Sequence, residues 1–339
     1  MRAKKVKKDL FWLRQASSFT ASRIILTANN LRMFDYLKGR GRTATALSKA
    51  IKTDSRATEL LLNSLTAIGL IEKKSSFYRN SPVALRHLVT GQPEYQGDIL
   101  RHYSTLWENW SGLDEVVKTG VPSKKTHDHE SFILGMHNLS VIKVNKIIGS
   151  IDLKGIKSIL DIGGGPGTYS MAFAKKKINV TLMDFAETLE ISSKLINKAG
   201  LGRRIRLAAG DFMSDSTSNT YDMVFLSQVL HSYNTEGSLA LVRKIYDTLN
   251  AGGKLVLQEF YLDETKTAPP FSAIFAINML VNTKGGRTYT LAEMTSFMKK
   301  AGFINISHKI IDDTILITGM KKKVSKKRSS RPIDSCLLA

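Results

Sequence analysis

Apolar residues between Ser22 and Leu37 fall at Ile24, Ile25, Ala28, Leu31, Phe34 and Leu37, a stripe along one side of a helix. A short helix over Thr45–Ile51 follows. A second, capped by Asp54 or Ser55 and ended by Gly69, turns Leu61, Leu65 and Ile68 inward and leaves Arg56, Glu59, Asn63 and Thr66 outside. Leu70–Ile71 and Phe77–Tyr78 flank a polar turn, so residues 10–95 read as an α-helical, winged-helix domain. Residues 96–150 are helical and rich in large side chains, among them Tyr103, Trp107, Trp110, Phe132, Met136 and His137. From Ser158 the period changes: apolar runs at 158–162, 179–184, 204–209, 221–227, 253–260, 303–310 and 313–319 alternate with helical stretches near 168–176, 187–199, 235–249 and 290–301. That alternation predicts an α/β, doubly wound, mostly parallel sheet over residues 151–320, with ligands at the carboxyl ends of its strands. The longest apolar run, 271–281, is too short to span a bilayer and contains Asn278.

The first run of the sheet ends in Asp161-Ile-Gly-Gly-Gly-Pro-Gly167, a tight turn in which glycine lets backbone approach a ligand. No Gly-Lys-Ser/Thr follows, so it is not a Walker phosphate loop, and Thr168 stands where a dinucleotide fingerprint needs its third glycine. The second strand ends in Asp184, 21 residues beyond Gly163 and suited to ribose hydroxyls, although a nicotinamide enzyme has the same feature. The third ends in Asp211-Phe212, an acid for an exocyclic amine and a ring for an adenine face. Two acids without an Arg or Lys cluster for a pyrophosphate favour a cofactor lacking phosphates, S-adenosylmethionine over NAD. The fourth ends in Leu226-Ser-Gln-Val-Leu-His-Ser-Tyr233, where His231 is placed to take a proton from a phenolic hydroxyl, and Glu259 at the end of the fifth can orient the imidazole.

The formal net charge is +21 for 339 residues. Residues 1–9 carry five basic side chains and 321–339 carry seven, each with one acid, so about half the net charge lies at the ends. One Arg beside a Glu on the second helix is poor equipment for a major groove, and nucleic acid is not the expected partner. A single cysteine, Cys336, removes intrachain disulfides and cysteine-based zinc sites and fits a reducing, cytoplasmic setting. The basic N-terminus lacks the apolar core of a signal peptide, and the His127-Asp128-His129-Glu130 run, read as a polar loop, matches no strong metal motif. Cys336-Leu-Leu-Ala339 after the polybasic stretch fits a C-a-a-X box, yet 321–339 is expected to be a disordered tail without a membrane role.

Taken jointly, Leu65-Thr-Ala-Ile-Gly-Leu-Ile71, Met136-His-Asn-Leu-Ser140, Asp161–Gly167, Gly210-Asp-Phe212, Val229-Leu-His231 and Gly285-Gly-Arg287 resemble the two-domain S-adenosylmethionine-dependent O-methyltransferases typified by caffeate and hydroxyindole enzymes and their bacterial relatives. The resemblance covers about residues 20–320. It implies a Rossmann-like methyltransferase sheet behind a winged-helix dimerisation domain, a homodimer with interlocked N-terminal domains, and no metal. It implies that Asp161, Gly163, Gly165, Gly167, Asp184, Asp211, Phe212 and Ser227 hold S-adenosylmethionine and its product S-adenosylhomocysteine. His231 is then the base, with Glu259 beside it, and Met136, His137, Phe275 and Met279 line a pocket for a small aromatic or polyketide-like acceptor. Three positions depart from the family pattern: Ser232 replaces an Asp after the base, Thr288 a carboxylate after the Gly-Gly turn, and Ser227 a lysine. Carbon or nitrogen methylation on the same fold, a cofactor-sensing DNA-binding regulator and a nicotinamide oxidoreductase are the competing readings.

Overall fold

The computed structural model describes residues 11–123, 125–215 and 219–323, so the polybasic stretch beyond residue 323 and Cys336 lie outside the described residues. The N-terminal part comprises α1 (Phe11–Ser17), α2 (Phe19–Asn30), α3 (Met33–Tyr36), β1 (Arg42–Thr43), α4 (Ala44–Ile51), α5 (Ser55–Ile68), β2 (Ile71–Lys74), β3 (Phe77–Asn80) and α6 (Pro82–His87). The stripe expected to run unbroken from Ser22 to Leu37 is split after Leu31, because Arg32 adopts a left-handed backbone (φ 54°) that redirects the chain. Asp54 caps α5 by accepting from the Ala57 N–H at 2.7 Å. The buried face of α5 is Thr58, Leu62 and Leu65 rather than Leu61, Leu65 and Ile68; Ile68 is 39% exposed. The rotation follows from Thr58, whose hydroxyl bonds to Thr53 and to the Asp54 carbonyl and so turns that side of the helix inward. The wing is β2–β3, antiparallel, and its Lys73 and Tyr78 side chains both donate to Asn63 Oδ1 at 2.9 Å, tying up the helix's outer polar face.

Three helices follow: α7 (Gly97–Trp110), α8 (Leu113–Thr119) and α9 (His129–Gly149). The His127–Glu130 run, expected as a solvated loop, is a helix start: Asp128 caps α9 by accepting from the Ser131 N–H at 3.0 Å. Among the described residues no group of three or more His, Cys, Asp or Glu side chains converges as a metal-binding set.

The C-terminal part runs β4 (Ser158–Ile162), α10 (Thr168–Lys175), β5 (Asn179–Asp184), α11 (Ala186–Lys198), β6 (Ile205–Ala209), β7 (Tyr221–Ser227), a 3₁₀ turn at Leu230–Ser232, α12 (Thr235–Asp247), β8 (Leu249–Phe260), α13 (Pro270–Asn282), α14 (Leu291–Ala301), β9 (Ile304–Ile311) and β10 (Thr314–Met320). The strand order is β6-β5-β4-β7-β8-β10-β9, parallel from β6 to β8 and antiparallel at β10. Strand β8 starts four residues earlier than its apolar run, because a register shift lets Leu249 pair with Tyr221 before the glycines. Alternate residues serve two cores. Leu160, Val224, Leu226, Leu255 and Leu257 face α12 and α14, while Ile159, Leu182, Met223, Phe225 and Val256 face α9, α10 and α11.

From β4 the chain winds outward through β5 and β6 and then crosses back to β7 and β8. The order therefore reverses at β4, and the crevice for a ligand opens at that strand's carboxyl end, where the glycine turn lies. The apolar run at 271–281 forms most of α13. The Trp110 indole N–H donates to Asn278 at 3.0 Å and the Asn109 amide to Asn282 at 2.8 Å, which fixes α13 against α7 and over the strand ends. Among the described residues no helix is long and apolar enough to cross a membrane.

Candidate active site

Three glycines of the turn have left-handed backbones, with φ of 62° at Gly163, 53° at Gly165 and 75° at Gly167. A Cβ on Gly163 would meet Val229 Cγ2 at 2.7 Å, and one on Gly164 would meet the Asp161 carboxylate at 2.8 Å. At Gly165 nothing lies within 4 Å, so its backbone faces open space in the crevice. Gly164, absent from the expected set, is needed because Asp161 folds beneath the turn. Gly164→Ala should lower stability by about 1–3 kcal/mol, the usual result of overpacking; an unchanged urea midpoint would show that Asp161 moves freely.

Asp161 is fully buried; its Oδ2 accepts from the Ser170 hydroxyl at 2.6 Å and its Oδ1 has no partner. Burial, reinforced by the nearby Asp184 charge, pushes its carboxyl up to about 7. Asp184 accepts from the Gly165 N–H through Oδ2 and from the Phe185 N–H through Oδ1, both at 2.8 Å, and burial raises its pKa. Asp211 accepts from the Met213 N–H at 2.9 Å, so its carboxylate also shapes its own turn.

Phe212 differs from its expected place on a ligand face. It is 5% exposed, belongs to the sheet core and lies 5.3 Å beneath Lys244. Burial, then the Asp211 and Asp184 charges, push the Tyr233 hydroxyl up. Ser227 donates to Gln258 at 3.1 Å, and Gln258 in turn donates to Tyr169 at 3.1 Å, so that hydroxyl's proton is held within the framework.

His231 is 8% exposed and its Nδ1 lies 2.7 Å from Glu259 Oε2. The other carboxylate oxygen, Oε1, accepts from the Leu230 N–H at 2.8 Å. With both oxygens accepting, Nδ1 carries the proton and Nε2 is the free basic nitrogen. Phe275 meets the imidazole edge-on at 5.0 Å between ring centroids, Phe260 lies 4.6 Å from Phe275, and Phe271 is 5.1 Å from Phe260. The Gly285–Gly286 turn braces the His231 backbone. Arg287 N–H donates to the His231 carbonyl at 2.8 Å, and a Cβ on Gly286 would sit 2.6 Å from that oxygen.

Met279 is buried on α13, the helix that carries Phe275. His137 sits elsewhere. Its Nδ1 lies 2.7 Å from the Thr168 hydroxyl at the end of the glycine turn, and burial lowers its pKa, which keeps it neutral. His137 and Thr168 line a groove of about 1160 Å³ between the N-terminal helices and α9, α10 and α11, lined by none of His231, Phe275 and Met279. Met136, half-buried, is outside that groove too. Phe260 adjoins Glu259 and Tyr233 lies two residues from His231, and neither is among the expected site residues; adjacency at a strand end was the available signal.

The sequence pattern of the O-methyltransferase domain matches residues 98–304, and that of the O-methyltransferase dimerisation domain matches residues 13–90. Among curated proteins, the chain is 29% identical over 301 residues to a 3-hydroxy-5-methyl-1-naphthoate 3-O-methyltransferase from Streptomyces sahachiroi, covering 85% of this chain and 87% of that one. It is 29% identical to the S-adenosyl-L-methionine-dependent methyl transferase PigF of a Serratia species, covering 86% and 89%. The solved structure of PigF with SAH superposes with a TM-score of 0.84 at 27% identity over 91% of this chain and 98% of that one. Human N-acetylserotonin methyltransferase in complex with SAM, at 23% identity and a TM-score of 0.84 over 92% and 97%, shares the fold. With one pattern spanning the sheet and its preceding helices and the other spanning the winged-helix part, the chain belongs to the O-methyltransferase family.

Proposed function

We propose that this protein is a methyltransferase that uses S-adenosylmethionine to methylate a hydroxyl of a small aromatic or polyketide-like acceptor. The observation that carries the reading is the His231–Glu259 pair, buried beside Phe260 and Phe275 at the strand end next to the glycine turn. The residues around that turn fit the cofactor: a bare backbone at Gly165, an orphaned buried oxygen on Asp161, and two acids at successive strand ends beside Tyr233. Asp184 would take the ribose hydroxyls, with Asp211 and Tyr233 at the adenine; Gly163, Gly165, Gly167 and Asp161 would hold the amino-acid end. When bound, S-adenosylmethionine supplies a methyl group on a sulfonium sulfur and leaves as S-adenosylhomocysteine.

The protein's own task is to make the acceptor oxygen nucleophilic. His231 Nε2 takes the hydroxyl proton, and Glu259 holds the ring in the required tautomer and stabilises the imidazolium that results. Phe260 and Phe275 flank the imidazole and shield it from water, so the forming oxyanion is less blunted by solvation. Their faces suit a flat aromatic acceptor, for which Phe275 and Met279 on α13 form one wall. With no carboxylate at Ser232 or Thr288, Glu259 is the carboxylate that holds the segment, one side chain pinning the imidazole and the Leu230 N–H together.

Two copies assemble through the N-terminal domains in the cytoplasm. The dimerisation pattern supports the assembly, as do the exposed Phe11, Trp12, Leu13 and Phe19 of α1 and α2. The reading is tested by incubating the protein with methyl-labelled S-adenosylmethionine and a panel of hydroxynaphthoates and naphthols. Label in an ether-linked methyl group is the expected product; label on carbon or nitrogen, or failure to bind S-adenosylhomocysteine in calorimetry, would sink it.

A further inference from the structure

The end of β7 carries a side chain with no task so far. Gln228 has a left-handed backbone, φ 58°, fixed by donation of its N–H to the Gln258 carbonyl at 2.9 Å. Its side-chain Nε2 and Oε1 are both shut off from solvent and neither has a hydrogen-bond partner. Left-handed backbone is unfavourable for a residue with a full side chain, and an unpaired buried carboxamide bears its whole desolvation penalty. Both burdens fall on one residue. The next residue, Val229, packs where a Cβ on Gly163 would stand, and the base His231 is three residues on. The segment thus joins the glycine turn to the catalytic pair, and buried groups without partners at such a place are satisfied by a ligand.

We propose that Gln228 is a specificity-determining residue whose carboxamide pairs with a neutral polar group of the methyl acceptor beside the hydroxyl that His231 deprotonates. This rests on the O-methyltransferase reading. An amide offers a donor and an acceptor side by side, so its complement is a group that also has both, such as a carboxamide or a hydroxyl next to a carbonyl. A carboxylate would set its charge against Oε1 and is disfavoured. The cofactor is the less suited partner, because Asp184, Asp211 and the turn would supply its polar contacts.

The test compares wild type with Gln228→Leu, which keeps the side chain's bulk without its polar atoms. Methyl transfer from labelled S-adenosylmethionine is measured on 2-naphthol and 3-hydroxy-2-naphthamide, S-adenosylhomocysteine affinity by calorimetry, and ligand-free melting by scanning calorimetry. Wild type should favour the naphthamide by about tenfold in kcat/KM, a hydrogen-bonded pair's worth of discrimination. Gln228→Leu should bring the two probes within about twofold, mainly by raising KM for the naphthamide, with S-adenosylhomocysteine affinity and melting temperature undiminished. Equal discrimination in both proteins overturns the proposal, as does a loss of S-adenosylhomocysteine binding in the variant. If wild type binds S-adenosylhomocysteine but methylates neither probe, the parent reading has failed for these acceptors, and melting decides on Gln228: a destabilised Gln228→Leu means the amide is satisfied inside the protein and refutes a ligand role.

Discussion

Replacing His231 with alanine should reduce kcat by about three orders of magnitude while S-adenosylhomocysteine binds within about twofold of wild type, the upper range for loss of a general base. The separation follows from the geometry. His231 touches Glu259, Phe275 and the Gly285–Gly286 turn, whereas Asp161, the glycine turn, Asp184 and Asp211 lie on or just after β4, β5 and β6; of the residues fitted to the cofactor, Tyr233 alone shares the segment of His231. The companion variant Glu259→Gln is the sharper test. Glutamine keeps an oxygen for the Leu230 N–H, but its NH2 then faces His231 Nδ1, which must become an acceptor. The imidazole proton moves to Nε2 and the base is lost without a change of shape. Glu259→Gln should therefore fall within about tenfold of His231→Ala. If it retained most of the wild-type kcat, Glu259 would be only a structural anchor for the Leu230 backbone.

Much of this arrangement was readable from sequence because its chemistry is attached to strand ends. A parallel strand buried on both faces is a short apolar run, and the residue that follows it lands at the crevice whatever the details of packing. Asp184 closes β5, Asp211 and His231 follow β6 and β7, and Glu259 is the last residue but one of β8, whereas Asp161 lies within β4, buried beneath the turn. The failures occur where packing decides. Phe212 follows an acid just as the rule requires, yet the β6–β7 connection turns its ring into the core, and Tyr233, whose backbone carbonyl accepts from the Tyr289 hydroxyl at 2.7 Å, packs partly buried against that core. His137 lies on α9, where one position of helical rotation separates a side chain bonded to Thr168 from its neighbours. Arg32 broke a stripe of correct period, since periodicity records which residues are buried and not whether one helix buries them. Gln228 has no signal at all. Its left-handed backbone and its unpaired amide are properties of the folded chain, and nothing in its residue type announces either.

The second large effect belongs to Asp184, and here binding and stability should move in opposite directions. Its carboxylate is the group fitted to the ribose hydroxyls, and each hydrogen bond to a charged acceptor contributes about 1.5–3 kcal/mol. Losing two should weaken S-adenosylhomocysteine affinity by at least a hundredfold in Asp184→Ala, since about 1.4 kcal/mol is a factor of ten. Without ligand the same carboxylate is a burden, because burial raises its pKa above the ordinary aspartate value of 3.8. A raised carboxyl pKa means that the folded state holds the proton more tightly than the unfolded one. Its contribution is therefore fully favourable below the unfolded value and is lost as pH rises through the folded value. Asp161 acts in the same sense, from 3.8 to about 7. The ligand-free wild type should lose stability as pH rises across that window, and Asp184→Asn, which stays neutral and can still accept from the Gly165 N–H, should lose less. Calorimetric melting at pH 5 and pH 7.5 with parallel S-adenosylhomocysteine titrations measures both quantities. A variant that loses affinity and stability together would mean that Asp184 mainly props up the glycine turn; one that gains stability at pH 7.5 while losing affinity would show a charge held in an unfavourable place for the sake of the cofactor.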